Sequence, residues 1–113
     1  MAHGAKSIIA IGCVVLLVGM YPAIGVTIKK SREAAFAATN IGDSFDEVVG
    51  RFGSPSKIDD EGQVFARYSD RPCELPCVKR LWFENRLFLD VEAWSVSLGK
   101  DDKAVEKYHW VSP

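Results

Sequence analysis

The 113-residue chain predicts an α+β protein: an N-terminal transmembrane helix, then a two-layer domain with one or two short helices packed on an antiparallel β-meander of three to four strands. Three observations predict it. Residues 7–28 carry no charge, residues 44–53 form an amphipathic segment with a signal at each end, and the rest alternates β-branched and aromatic runs with turn residues. The chain divides into 1–28 as tail and membrane segment, 29–40 as basic linker and short helix, and 41–113 as the domain.

The stretch "SIIAIGCVVLLVGMYPAIGVTI" from Ser7 to Ile28 would reach about 33 Å as a helix, enough to cross a hydrocarbon core. As an export signal it has Lys6 before the apolar run and Ala23-Ile24-Gly25 as a small-x-small cleavage site. As a retained anchor, the favoured reading, it exceeds the usual length of a signal core, and Pro22 kinks a spanning helix without preventing it. Cys13 lies inside the run as a packing or lipid-facing residue, and "AIGC" stands too near the N-terminus for a lipoprotein cleavage box. Lys29, Lys30 and Arg32 follow the segment while only Lys6 and the α-amino group precede it, so a positive-inside count keeps the C-terminal domain in the cytoplasm.

From Glu33 onward ten Lys/Arg face fifteen Asp/Glu, a balance of −5, with the basic residues scattered. Nucleic acid is excluded as a partner, because phosphate binding needs a concentrated basic surface. "REAAFAATN" has the alanine content of a short helix. Next comes "IGDSFDEVVGRFGSP": Ser44 and Glu47 make a capping-box pattern, and Phe45, Val48, Val49 and Phe52 share one face. Gly53 is placed to cap the C-terminus and Pro55 to prevent continuation. A helix this short needs a surface to dock on.

That surface is predicted to be a sheet of Gln63–Ser69, Val78–Glu84, Leu87–Leu98 and Ala104–Val111, rich in β-branched and aromatic residues. Turn signals at Asn85-Arg86 and Gly99-Lys100-Asp101-Asp102 make the neighbours antiparallel. In the third strand Leu87, Leu89, Val91 and Ala93 are apolar at odd positions and Trp94, Val96 and Leu98 at even ones. A bulge near Ala93 would restore a single buried face.

The helix motif resembles the SmpA/OmlA (BamE-like) family of small envelope domains. Gly42 and Ser44 at the helix entry, Val48 in its middle, and Phe52, Gly53 and Pro55 at the exit match the family's G-x-[ST]-x-x-x-V-x-x-x-[LF]-G-x-P. The resemblance covers roughly residues 40–113 and implies helices on one face of an antiparallel sheet, held at an envelope membrane and acting by protein contact, without enzymatic activity. The chain departs from the family in lacking a usable lipobox, in its fourth predicted strand and in its cysteine loop.

Catalytic and ligand-binding patterns are sparse. His3 belongs to the N-terminal tail, and His109 reads as a half-exposed strand residue with no second ligand or nucleophile placed beside it. No G-x-S-x-G and no glycine-rich phosphate loop occurs. Asp59-Asp60-Glu61 and Asp101-Asp102 read as solvated turn residues rather than a calcium site. No cofactor, metal or small-molecule substrate is expected. Trp82 and Phe83 cannot share a sheet face, so one of them points away from the helix layer; Trp82, Trp94, Tyr108 and Trp110 are the candidate partner-binding aromatics.

In "RPCELPC", Cys73 and Cys77 admit three readings. A structural zinc needs four ligands and the loop supplies two. A redox enzyme wants a low-pKa thiol at a helix N-terminus. A structural disulfide across the mouth of a tight hairpin remains, worth about 2 kcal/mol by loop closure. Such bonds persist in oxidising compartments, which together with the resemblance outweighs the flanking charges. The expected protein is a single-pass inner-membrane protein whose C-terminal domain lies in the periplasm. It would meet the lipid bilayer through residues 7–28 and act on another envelope protein. The alternatives are a thiol-disulfide redox protein using Cys73 and Cys77, and an inhibitor or immunity-type binder on the same scaffold.

Overall fold

The computed structural model describes residues 26–85 and 92–111. Among the described residues two helices and a four-stranded sheet form the α+β architecture expected. The helices are α1 (residues 26–38) and α2 (Phe45–Phe52), and the strands are β1 (Lys57–Asp60), β2 (Lys79–Asn85), β3 (Glu92–Leu98) and β4 (Ala104–Val111). The sheet is an antiparallel meander in the order β1-β2-β3-β4. Among the described residues no helix is long and apolar enough to cross a membrane. Apart from its last three residues, the expected span 7–28 lies outside the described residues.

Both ends of α2 follow the sequence. Ser44 accepts a hydrogen bond from the Glu47 N–H, and the Glu47 side chain accepts one from the Ser44 N–H, which satisfies two N-terminal donors. Gly53 has a φ of 89° and donates its N–H to the Val49 carbonyl, and Gly42, with a φ of 96°, turns the chain into the helix. Val48 and Phe52 are buried against the sheet, and the Phe52 ring stacks on Phe83 at 4.2 Å. Burial of each such side chain contributes about 1.5–3 kcal/mol.

The inner stripe of α1 is Arg32, Ala35 and Phe36, continued by Thr39 just past its end. The small Ala35 and Thr39 are buried, and the Thr39 hydroxyl donates to the Ala35 carbonyl at 2.8 Å. Arg32 donates to the Phe52 carbonyl, at the end of α2 where unpaired carbonyls favour a cation, and its guanidinium lies 5.7 Å from the Phe83 ring centre. Burial lowers its pKa from the usual arginine range. The front core thus joins α1 and α2 to Leu81, Phe83, Trp94, Val96, Leu98 and Ala104.

Three expectations about the strands are corrected. Gln63–Ser69 is not a strand: Phe65 and Tyr68 sit on a turn, with the Tyr68 and Ser69 N–H groups donating to the Phe65 carbonyl, and spend their rings on covering the sheet. The first strand is instead the charged segment Lys57–Asp60. Asp59 is therefore not a solvated turn residue but fully buried in β1. No bulge occurs at Ala93, because β3 pairs in unbroken register with β2 from Asn85↔Glu92 to Lys79↔Leu98. The irregularity falls between Ser97 and Leu98 on the β4 side. Every residue of β3 is buried, so both of its faces are covered and alternation cannot mark one as the core. The positions 87–91 of the expected third strand and the expected turn position Arg86 lie outside the described residues, and Asn85, expected in that turn, is instead the buried last residue of β2.

Candidate functional site

The sheet face away from the helices is covered by the long connection 61–78 between β1 and β2. Trp82 and Phe83 do point to opposite faces: Phe83 joins the front core, and Trp82 faces this back layer. On β3 the back-facing residues are Ala93, Ser95 and Ser97, all small. Large rings from the flanking strands therefore meet over them, and Trp82 on β2 approaches Trp110 on β4 at 5.8 Å between ring centres. The Trp110 Nε1–H donates to Ser95 Oγ at 2.8 Å. Phe65 and Tyr68 close over Trp82 at 5.2 and 5.7 Å.

Polar groups are set into and around this aromatic layer. The Trp82 Nε1–H donates to Asp59 Oδ2 at 2.8 Å, and Lys57 Nζ stands 3.2 Å from Asp59 Oδ1. An unpaired carboxylate there would be costly, so the indole and the lysine together hold Asp59 in place. The Tyr68 hydroxyl donates to Glu84 Oε2 at 2.5 Å, and Ser56 Oγ donates to Glu84 Oε1 at 2.8 Å. Burial, reinforced by the Glu84 carboxylate, pushes the Tyr68 phenol far above the ordinary tyrosine range. Arg80 donates to the carbonyls of Arg71 and Pro72 at 2.9 and 3.0 Å, tying the connection to β2.

Cys73 and Cys77 form the disulfide, with 5.3 Å between their Cα atoms. Its place differs from the expected hairpin mouth between two regular strands, because the loop belongs to the irregular 61–78 connection. Cys73 is pinned there through hydrogen bonds with the backbone of Gly62 and Gln63, and both cysteines are buried. The Leu75–Pro76 bond within the loop is cis.

The four candidate aromatics separate. Trp82 and Trp94 are interior, so neither offers surface to a partner as it stands. Trp94 lies in the front core with the His109 imidazole stacked on it at 4.9 Å, and His109 Nε2 is 2.9 Å from the buried Glu92 carboxylate. Tyr108 is exposed and Trp110 half-buried, 4.2 Å apart on the back of β4, with the Arg71 guanidinium 5.2 and 5.1 Å from their ring centres. Arg71 and Arg80 were not singled out by the sequence, and Asp59 was read only as part of a solvated turn. The only available signal was their position on either side of the cysteine loop and its aromatic partners.

Beside this cluster a cleft of about 440 Å³ opens between the disulfide loop and the start of β4, lined by Arg71, Glu74, Leu75, Arg80, Val105 and Glu106 among others. Among the described residues no three His, Cys, Asp or Glu side chains converge as metal ligands. No protein-family model, no curated protein and no solved structure matches this chain.

Proposed function

We propose that the chain is a single-pass membrane protein whose C-terminal domain works in the periplasm as a non-catalytic protein-interaction or envelope-structure component. The observation that carries this reading is the Cys73–Cys77 disulfide, closed within a connection that covers one whole sheet face. A domain that relies on such a bond belongs in an oxidising compartment. The uncharged segment 7–28 supplies the tether, and the resemblance of the Gly42–Pro55 motif to SmpA/OmlA domains supports an envelope role. Of the three cations that follow the segment, Arg32 has a packing reason to be basic that is independent of topology.

A thiol-disulfide enzyme is the weaker reading. Its nucleophile would need an accessible, acidified thiol, whereas Cys73 is fully buried and Cys77 nearly so, in a loop rather than at a helix N-terminus. The contact surface favoured for a protein partner is the back edge, where Tyr108 and Leu75 are exposed beside half-buried Trp110. A reporter fused after Pro113 that gains activity only in the oxidising compartment tests the reading. Activity is expected; a reporter active only in the cytoplasm overturns it.

A further inference from the structure

Arg80 is a cation in an unusual setting. Its residue is only 5% exposed, it lines the cleft beside the disulfide loop, and among the described residues no carboxylate lies within ion-pair distance of it. Its two bonds go to neutral carbonyls, those of Arg71 and Pro72. The positive charge is therefore desolvated without an ion pair of its own; burial lowers its pKa from the usual arginine range, while the carboxylates of Asp59, its cross-strand neighbour, and Glu106 act the other way from beyond contact distance. The acids that line the cleft, Asp70, Glu74 and Glu106, are all at its exposed rim, where water solvates them.

The second arginine is preset. The Arg71 guanidinium is held over the rings of Tyr108 and Trp110, and among the described residues its one ion pair is to Glu106 at 3.9 Å, with both side chains more than half exposed. A pair so long and so wet contributes little and is readily exchanged for another carboxylate. A second, more apolar hollow continues the cleft, sharing Leu75, Pro76 and Val105 and reaching Gly99. The two together offer cations at one end and aliphatic surface at the other.

From this we infer that the cleft between the disulfide loop and β4 is a receptor for a partner protein's acidic side chain flanked by an apolar residue. The carboxylate approaches Arg80, displaces Glu106 from Arg71, and is shared between the two guanidiniums; the neighbouring apolar side chain enters the hollow at Leu75, Pro76 and Val105. Arginine suits this role because its planar fork binds a carboxylate through two N–H groups. The inference rests on the protein-interaction reading and deepens it by giving the partner's contact a chemistry.

The test is a titration of the full chain in detergent micelles, followed by NMR, with the capped tetrapeptide Ac-Gly-Glu-Leu-Gly-NH2. Two controls replace its Glu by Gln and its Leu by Gly. The expected result is saturable shifts at residues 71–77 and 105–106, roughly tenfold weaker with the Gln peptide and several-fold weaker with the Gly peptide. Arg80→Gln also removes the two bonds that tie down the loop, so the informative variants are Arg71→Gln, which weakens binding, and Glu106→Gln, which removes the internal competitor and strengthens it. Equal binding of the Glu and Gln peptides overturns the inference, as does a Glu106→Gln variant that binds more weakly, or an absence of shifts at the cleft. The titration is independent of cellular compartment, so its failure removes the cleft while the membrane-tethered reading stands or falls on the reporter.

Discussion

The two faces of the sheet are built by different means. The front is covered by α1 and α2 through an aliphatic and stacked-ring core whose polar exceptions, such as Glu92 and His109, are few. The back is covered by an irregular connection that brings Phe65 and Tyr68 onto Trp82, buries Asp59, ties Arg80 to two carbonyls, and is closed by a disulfide. Regular elements hold themselves in shape through their own backbone hydrogen bonds, so helices can cover a face with packing alone. An irregular cover must be fastened at named points, and those fastenings place cations and aromatics where a partner can meet them.

The largest effect is expected on the front. Phe52→Ala removes the ring stacked on Phe83 and should cost about 3–5 kcal/mol in denaturant unfolding. A loss below about 1 kcal/mol would mean that α2 is not a main support of the sheet. On the back, Trp82→Phe removes ring volume and leaves Asp59 without its indole donor; about 3 kcal/mol is expected. Pairing it with Asp59→Asn in a double-mutant cycle should show strong coupling, and additive effects would contradict the buried pair.

Replacing Cys73 and Cys77 together by serine sharpens the comparison most. The expected cost is about 2 kcal/mol. Hydrogen exchange should accelerate at residues 61–78 and remain slow in α2. Uniform acceleration through both faces would show that the two covers are not independent. The smallest effect concerns the entry to α2. Asp43 accepts a hydrogen bond from the Asn40 N–H and pairs with Arg51 at 2.6 Å, and these hold its carboxyl below the usual aspartate pKa. A depressed carboxylate contributes its stability above the unfolded pKa and loses it as pH falls through the folded one. Asp43→Asn should therefore lower stability slightly near neutrality and flatten the decline below about pH 4, as read from urea midpoints against pH. An unchanged acid limb would remove Asp43 from that role.

What could be read in the sequence divides along the same line. The Ser44–Glu47 box, the Phe45–Phe52 periodicity, the Gly53 exit and the Ala104–Val111 strand are local patterns and stand as expected. The back layer was misjudged because its logic is not local. Phe65 and Tyr68 look like strand residues until Trp82 is known to need a cover, and Asp59-Asp60-Glu61 looks like a turn until Asp59 meets an indole 23 residues away. Ser95 and Ser97 gave no hydrophobic signal and Ala93 was counted with the apolar residues before it, yet these three small residues are what lets Trp82 and Trp110 approach. The cysteines were legible as a staple, while the cleft that the staple shapes was not.

The most direct test of the account is the thiol state of Cys73 and Cys77 in intact cells, on a Cys13→Ala background, after acid quenching, denaturation and alkylation. The account predicts that neither cysteine is modified until a reductant is added. Alkylation of both without reductant would contradict the fastened back face and the proposed compartment together.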